Sequence, residues 1–363
     1  MKRSFGWLEG CITIAIALGL AGGCGHQMAA PSGATFHVAA IGDSIASGQG
    51  APDKDASKWP PWDWMPEWQD ERCNRSMHAG TFDAVERIRN SPQPKTIEFR
   101  SFACSGASIA KGLLGPYDGV APLWKRWLRP DRYREPLAPQ VEEALKWAKE
   151  LDNQRIPTEP YEPPIDVLTI SIGTNDILAT QIVAACMLPV VECNIARPII
   201  EHELLCLVGS YKKLREEIDK ELAGYTKHII VTGYPDPARD GEGVACNHAP
   251  PRSQGKPEPL AGISAGDSEW MSGVLRDLNE TIRTETEDHG WTYLDVNEDV
   301  AANGVVDEGF PKHGWCSDQN WINTINDSIH KQRHFRGGVH PNVSGHDVYA
   351  RRLHPLIDER LTE

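Results

Sequence analysis

The stretch Phe36-His37-Val38-Ala39-Ala40-Ile41-Gly42-Asp43-Ser44 decides the fold of this chain. Its first six residues form an apolar run that predicts a buried strand, and the Gly-Asp-Ser triplet that follows predicts a tight turn. A turn at the carboxyl end of such a strand projects a side chain into the crevice where ligands bind in open α/β sheets. Ser44 is therefore a candidate functional hydroxyl group.

Further apolar runs predict strands, and they alternate with segments of helical period or composition. The predicted strands are Phe36–Ile41, Thr96–Phe102, Ile165–Ile172, His228–Thr232 and Trp291–Val296. The predicted helices are Gln140–Leu151, Ile199–Leu222, Glu269–Thr286 and Ser344–Leu361, the last with Ser344 as its N-cap. This alternation is typical of a doubly wound parallel sheet with helices on both faces. We expect one domain over residues 35–363.

Composition and charge restrict the partners of the protein. Of the 363 residues, 40% are hydrophobic and 24% are charged, which is ordinary for a soluble globular protein. The formal net charge of -14 argues against a nucleic-acid partner and against a surface that binds anionic lipid. We therefore expect no nucleic-acid partner. We also expect a monomer.

The first 30 residues have the plan of an export signal. Lys2 and Arg3 precede an apolar stretch from Cys11 to Leu20, and small residues follow. The end of this segment, Leu20-Ala21-Gly22-Gly23-Cys24, resembles a bacterial lipobox, in which the cysteine is lipidated. We expect an exported protein, either attached to the membrane of a bacterial envelope through Cys24 or secreted after cleavage near residue 30.

Export permits disulfide bonds, and the cysteines are numerous enough to form them. The cysteines after Cys24 are Cys73, Cys104, Cys186, Cys193, Cys206, Cys246 and Cys316. Their number is odd, so at least one is unpaired. We expect Cys73 to pair with Cys104, Cys246 with Cys316, and two of the middle three with each other. Buried free thiols are the alternative.

Ser44 has a candidate base and candidate donors elsewhere in the chain. A serine hydroxyl becomes a useful nucleophile when a base within hydrogen-bond reach takes its proton. His340 lies in a Gly-rich loop before the last predicted helix, and the ordinary pKa of histidine suits this role. Acyl transfer also needs donors to a developing oxyanion. The backbone of Ser44, the backbone of Gly106 and the side chain of Asn175 follow three predicted strands and are the candidates.

Four short strings in this order resemble the GDSL, or SGNH, hydrolase superfamily. They are Gly42-Asp43-Ser44, Cys104-Ser105-Gly106-Ala107, Gly173-Thr174-Asn175-Asp176 and His340-Pro341-Asn342. The second and fourth are closest to a secreted bacterial branch of esterases and lipases. The resemblance implies a three-layer α/β/α sandwich with a central, mostly parallel, five-stranded, flavodoxin-like sheet. It also implies a carboxylic ester hydrolase with Ser44 as nucleophile, Ser44, Gly106 and Asn175 in the oxyanion hole, and no metal or cofactor.

The chain departs from the family pattern at one position. The family's acid stands three residues before its histidine, and Gly337 occupies that place here. In some members of the secreted branch a backbone carbonyl orients the histidine instead. We therefore expect a carbonyl near Gly337 or Gly338 to hold the His340 ring, with a distant carboxylate such as Asp318 or Asp295 as the rival.

The sequence does not identify the substrate class, because a Trp-rich segment has two interpretations. Trp59, Trp62, Trp64 and Trp68 either form an aromatic rim for the substrate or hold an irregular loop against the domain. The ester substrate is a small molecule, a lipid or a glycan. Lipid and short-chain esters are slightly favoured, carbohydrate O-deacetylation is the alternative, and a catalytically silent glycan-binding module is a third hypothesis.

Overall fold

A five-stranded parallel sheet forms the centre of the computed structural model. Its strands are β1 (Thr35–Gly42), β2 (Thr96–Ser101), β3 (Ile165–Ser171), β4 (Thr226–Thr232) and β5 (Thr292–Leu294). Each lies within one of the predicted runs or differs from it by at most two residues at an end. The order β2-β1-β3-β4-β5 is that of flavodoxin-like sheets. The predicted fold class, an α/β/α sandwich around a parallel sheet, is confirmed.

The structure describes residues 34–363 except 57–64, 122–126, 128–132, 156–160, 187–192, 248–251, 254–255, 259–261 and 303–304. Residues Thr35–Glu363 form one compact unit. The predicted export signal and lipobox lie outside the described residues.

The strands carry near-continuous apolar runs because helices cover both faces of the sheet. Val38, Ala39, Ala40 and Ile41 are all fully buried, although successive side chains point to opposite faces. This double burial explains why β1 reads as a run instead of an alternation.

Eight α-helices of the described residues accompany the sheet. They are α1 (Ser44–Ser47), α2 (Gly80–Arg89), α3 (Gln140–Gln154), α4 (Ala179–Cys186), α5 (Arg197–Leu222), α6 (Ala265–Glu287), α7 (Ile325–Gln332) and α8 (Val343–Arg360). Helix α2 packs on α8, whereas α5 packs on both α3 and α6. None of the described helices is both long enough and apolar enough to span a membrane.

The start of α8 differs from the prediction. Asn342, not Ser344, is the N-cap, because its extended backbone lets the side chain accept the N–H of Gly345. Ser344 lies within the first turn. The N-cap therefore lies two residues after His340 and the first helical residue three residues after it.

The disulfide bonds agree with the predicted pairing. Cys73 is bonded to Cys104, Cys246 to Cys316, and Cys186 to Cys193. Cys206 is free and exposed.

Gln140 holds the carboxyl end of β1. Its side-chain carbonyl accepts the N–H of Gly42 at 2.6 Å, and its amide donates to the carbonyl of Gly42 at 2.9 Å. Gln140 is the first residue of α3 and is buried. One side chain therefore joins a helix of one outer layer to the strand end that precedes Ser44.

Replacement of Gln140 by Ala is expected to lower the free energy of unfolding by about 1–3 kcal/mol. The reason is that the buried N–H of Gly42 loses its acceptor. Chemical denaturation measures the change. Gln154→Ala, at the exposed far end of the same helix, is the control and should have little effect. Equal losses in the two variants would contradict this role of Gln140.

Candidate active site

The turn after β1 presents Ser44 at the carboxyl edge of the sheet. Gly42 has a φ of +142°, and a Cβ atom there would lie 2.2 Å from the carbonyl oxygen of Ser171 on β3. Only glycine fits this close approach between neighbouring strands. Ser44 then begins the short helix α1, with Asp43 as its N-cap. The strand order reverses between β1 and β3, which is the switch point where such folds bind ligands.

Asp43 is a fully buried carboxylate that fixes this turn. It accepts hydrogen bonds from the backbone of Ile45 at 2.9 Å, the hydroxyl of Thr174 at 2.9 Å and the hydroxyl of Tyr234 at 2.6 Å. Burial raises the pKa of Asp43 to about 6, and these three hydrogen bonds limit the rise. The carboxylate thus links the ends of β1, β3 and β4 beneath Ser44.

His340 reaches Ser44 across 296 positions of the chain. Its Nε2 lies 2.8 Å from Ser44 Oγ, and its Nδ1 lies 3.0 Å from the carbonyl oxygen of Gly338. A carbonyl oxygen only accepts, so Nδ1 carries the ring proton and Nε2 accepts the hydroxyl proton of Ser44. Desolvation by the surrounding protein lowers the pKa of His340. The lowered pKa favours the neutral ring, which is the form that can take a proton.

The carbonyl group at the ring is that of Gly338, not that of Gly337. Gly337 ends a 3-10 turn, Phe335–Gly337, and its N–H is donated to Ser328 Oγ. Neither rival carboxylate reaches the ring among the described contacts of His340, and Asp295 is instead paired with Arg283 at 2.6 Å. Asp318 likewise forms no contact with His340 in the described part of the chain.

The loop that presents this carbonyl is strained and firmly held. Val339 has a φ of +61°, which is a costly conformation for a β-branched residue. The N–H of Val339 is donated to the carbonyl of Asn323, and the N–H of Asn323 is donated to the carbonyl of His340, both at 2.9 Å. The buried side chain of Asn323 also donates to the carbonyl of Gly50. These contacts keep Val339 in the strained conformation and fix the position of His340.

The backbone N–H groups of Ser44 and Gly106 have no acceptor among the described residues. Gly106 has a φ of +79°, and a Cβ atom there would lie 2.4 Å from Tyr117 Oη. In the part of the chain that the structure describes, the N–H of Ser44 and the N–H of Gly106 donate to no other group. Both are therefore available to a negatively charged oxygen.

Asn175 and Asp176 join the loop after β3 to the loop that carries Gly106. Asn175 Nδ2 donates to the carbonyl of Ala107 at 2.8 Å, and the Asp176 carboxylate accepts the N–H of Ile109 at 3.1 Å. Because a side-chain amide has two N–H bonds, one of those in Asn175 remains for a ligand. Burial raises the pKa of Asp176 to about 7. These two hydrogen bonds fix the loop after β3 to the loop that carries Gly106.

A cleft of about 510 Å³ adjoins Gly106 and Asn175. Its lining combines apolar groups with polar side chains, among them Ser108, Lys111, Asp176, Gln181, Glu203 and Ser210. Lys111 and Glu203 bring opposite charges to the same cleft. A space of this size and polarity fits a small polar group beside the candidate donors.

The predicted aromatic rim stays a prediction. Trp59, Trp62 and Trp64 lie outside the described residues, and Trp68 is half-buried. Two further tryptophans near His340 in sequence pack inward: Trp315 is buried, and Trp321 stacks on His313.

The sequence reasoning missed three residues that position the site. Tyr234 bonds to Asp43, Asn323 holds the His340 loop, and Gln140 holds the end of β1. Tyr234 had a usable signal, because it comes two residues after the strand-ending Thr232 at the edge where ligands bind. Gln140 and Asn323 act through the backbone of distant residues, and no local pattern marks them.

Comparison with known proteins identifies the family. The profile of the GDSL-like lipase/acylhydrolase family matches residues 40–348, and the chain belongs to this family. No curated protein sequence matches the chain. Among solved structures, an extracellular lipase from Streptomyces rimosus is 19% identical, with a TM-score of 0.54 over 90% of this chain and 99% of that one. A phospholipase A1 from Streptomyces albidoflavus is 18% identical, with a TM-score of 0.50 over 90% and 100%. Both share the fold.

Replacement of Asp43 by Asn is expected to change the pH dependence of stability. A carboxyl whose pKa is about 6 when folded and near 3.8 when unfolded costs the folded state stability as the pH rises from about 4 to about 6. Relative to Asp43→Asn, the wild type should therefore lose about 2 kcal/mol of unfolding free energy between pH 4.5 and pH 7. Chemical denaturation at pH 4.5 and 7 measures it.

Tyr234→Phe is the matched variant for this test. It keeps the ring and removes one hydrogen bond to the carboxylate, so the pKa of Asp43 should rise further and the window should extend above pH 6. Parallel stability curves for wild type and Asp43→Asn would show that Asp43 does not titrate in this range.

Proposed function

We propose that this protein is a carboxylic ester hydrolase in which Ser44 is the nucleophile and His340 the general base. The observation that carries the proposal is the 2.8 Å contact between Ser44 Oγ and His340 Nε2, in a ring whose other nitrogen donates to Gly338. This arrangement has the nucleophile, base and orienting group that covalent acyl transfer needs. A backbone carbonyl takes the orienting role that a carboxylate has in a triad.

The reaction proceeds in two halves. Ser44 Oγ forms a bond to the ester carbonyl carbon while its proton moves to His340 Nε2. The carbonyl oxygen becomes an oxyanion that accepts the N–H groups of Ser44, Gly106 and Asn175. The intermediate then expels the alcohol, which takes the proton from Nε2, and an acyl-Ser44 ester remains. Water, deprotonated by His340, attacks this ester, and the acid leaves as Oγ regains its proton.

The substrate class has one leading and one second candidate. Lipid and short-chain esters lead, and the family includes lipases and acylhydrolases. Carbohydrate O-deacetylation is the second candidate, and the polar side chains of the cleft support it, because hydroxyl-rich sugars need hydrogen-bond partners. A silent glycan-binding module is disfavoured, since such a module has no need of a hydrogen-bonded Ser44–His340 pair.

Export is part of the proposal. Three disulfide bonds support it, because such bonds form and persist in oxidising compartments. Lipid attachment at Cys24 would place the enzyme at a membrane. The proposed partner is a small-molecule, lipid or glycan ester.

Ser44→Ala is expected to reduce hydrolysis of p-nitrophenyl acetate, butyrate and octanoate roughly 1000-fold or more, because the nucleophile is lost. Ser344→Ala, an exposed serine in the first turn of α8, is the control and should retain full activity. Hydrolysis by the wild type of all three esters favours a lipase or esterase, whereas a collapse beyond two or three acyl carbons favours a deacetylase. Activity that survives in Ser44→Ala would refute the proposed nucleophile.

Asn175→Ala is expected to lower kcat about 100- to 1000-fold with little change in KM, because one oxyanion donor is lost. Steady-state kinetics on p-nitrophenyl acetate measure both constants. Asp176→Ala removes the neighbouring link to the Gly106 loop but no donor, and its loss in kcat should be smaller. If the two variants lost equal activity, Asn175 would act only by holding the loop.

A further inference from the structure

The solvent side of the first half of α5 carries bulky aliphatic side chains. Leu205 is 76% exposed and Ile199 is 55% exposed. Ile195, in the 3-10 turn Cys193–Ala196 that precedes the helix, is 69% exposed. Three such residues on one short segment make a concentrated apolar surface for a protein with a net charge of -14.

These residues belong to a continuous stripe without charged side chains. Residues spaced by three and four share one side of a helix. The members of this apolar stripe are Ile195, Pro198, Ile199, His202, Leu205, Cys206 and Gly209. The next two positions on the same side are Lys212 and Lys213, and charged residues follow them. The stripe is therefore confined to the first half of α5.

The apolar stripe adjoins the cleft that leads to the candidate donors. Glu203, Cys206, Leu207 and Ser210 of the same helix line that cleft. Cys206 is exposed and belongs to both the stripe and the cleft lining. A hydrophobic surface placed against the stripe would thus meet the cleft where it opens.

We propose that the apolar stripe docks the protein onto aggregated, zwitterionic lipid ester. The proposal rests on the proposed ester hydrolase function and names lipid as its substrate class. Interfacial helices carry charged side chains beside an apolar face. Here Lys212 and Lys213 end the stripe and Glu201 and Glu203 border its sides, so charges of both signs meet the paired charges of a zwitterionic lipid surface. The overall negative charge disfavours an anionic surface.

A lipid surface explains the position of the stripe better than a second copy of this chain does. A second copy docked on Ile199 and Leu205 would cover Cys206 and obstruct the cleft. A lipid surface instead delivers substrate at that point. The cleft binds the polar part of the lipid. The hydrocarbon chains stay in contact with the apolar stripe and with the rest of the aggregate.

Flotation with dioleoylphosphatidylcholine vesicles tests the docking without turnover when Ser44→Ala is used as the starting protein. The double variant Ile199→Glu/Leu205→Glu in that background is expected to bind vesicles at least tenfold less. Val244→Glu is the matched control, because Val244 is 56% exposed on a different loop. Both changed side chains are exposed, so each variant should fold, and circular dichroism checks this.

Activity of the protein with Ser44 intact supplies the second readout. Ile199→Glu/Leu205→Glu should hydrolyse dissolved p-nitrophenyl acetate at an unchanged kcat/KM and dispersed dioleoylphosphatidylcholine at least tenfold more slowly.

Absence of vesicle binding by Ser44→Ala, or binding that the double variant retains, overturns the proposal. Sedimentation that shows a dimer dissociated by the double variant, without vesicle binding, overturns it in favour of a second copy. Failure of the wild type on every ester would refute the proposed hydrolase, while vesicle binding still decides the docking.

Discussion

The candidate active site is organised around one short contact, the 2.8 Å hydrogen bond between Ser44 and His340. The two residues come from opposite ends of the domain, so each must be fixed by groups other than its partner. Gln140 and Asp43 fix the turn of Ser44, and Asn323 fixes the loop of His340. Asn323 also donates to Gly50, six residues after Ser44, and thereby joins the two regions. The hydrogen bond is the result of this support, since one side-chain contact is too weak to hold two loops in place.

Among the described residues no carboxylate reaches His340, and this changes how the ring is stabilised in its proposed role as base. A carboxylate both orients an imidazole and stabilises its positive charge, whereas the carbonyl of Gly338 is a dipole and does the second more weakly. The nearest buried acid, Asp43, is directed instead at Ile45, Thr174 and Tyr234. The buried carboxylate of Asp43 therefore fixes the turn that carries Ser44 and does not contact the histidine. The strained backbone of Val339 supplies the orientation of the base.

Much of the fold was predictable because parallel strands that are buried on both faces are apolar throughout. The runs around β1 and β3 could be read directly, and the Gly-rich strings at their ends marked the edge where the site lies. The sequence could not show whether the carbonyl of Gly337 or that of Gly338 contacts the His340 ring, because this depends on the φ of Val339. Gln140, Asn323 and Tyr234 were also missed as positioning residues. Their roles come from contacts across 98, 17 and 191 positions of the chain, and such pairings leave no local pattern.

The Cys73–Cys104 disulfide bond constrains the loop that carries Gly106. Cys104 stands two residues before Gly106, and the N–H of Ser105 between them is donated to the carbonyl of Cys73. The position of the Gly106 N–H, a proposed oxyanion donor, is thus tied covalently to a second loop. That tie forms only in an oxidising compartment. The geometry of the Gly106 loop therefore depends on the redox conditions around the protein. In a reducing compartment the disulfide bond is not formed, and the loop lacks this constraint.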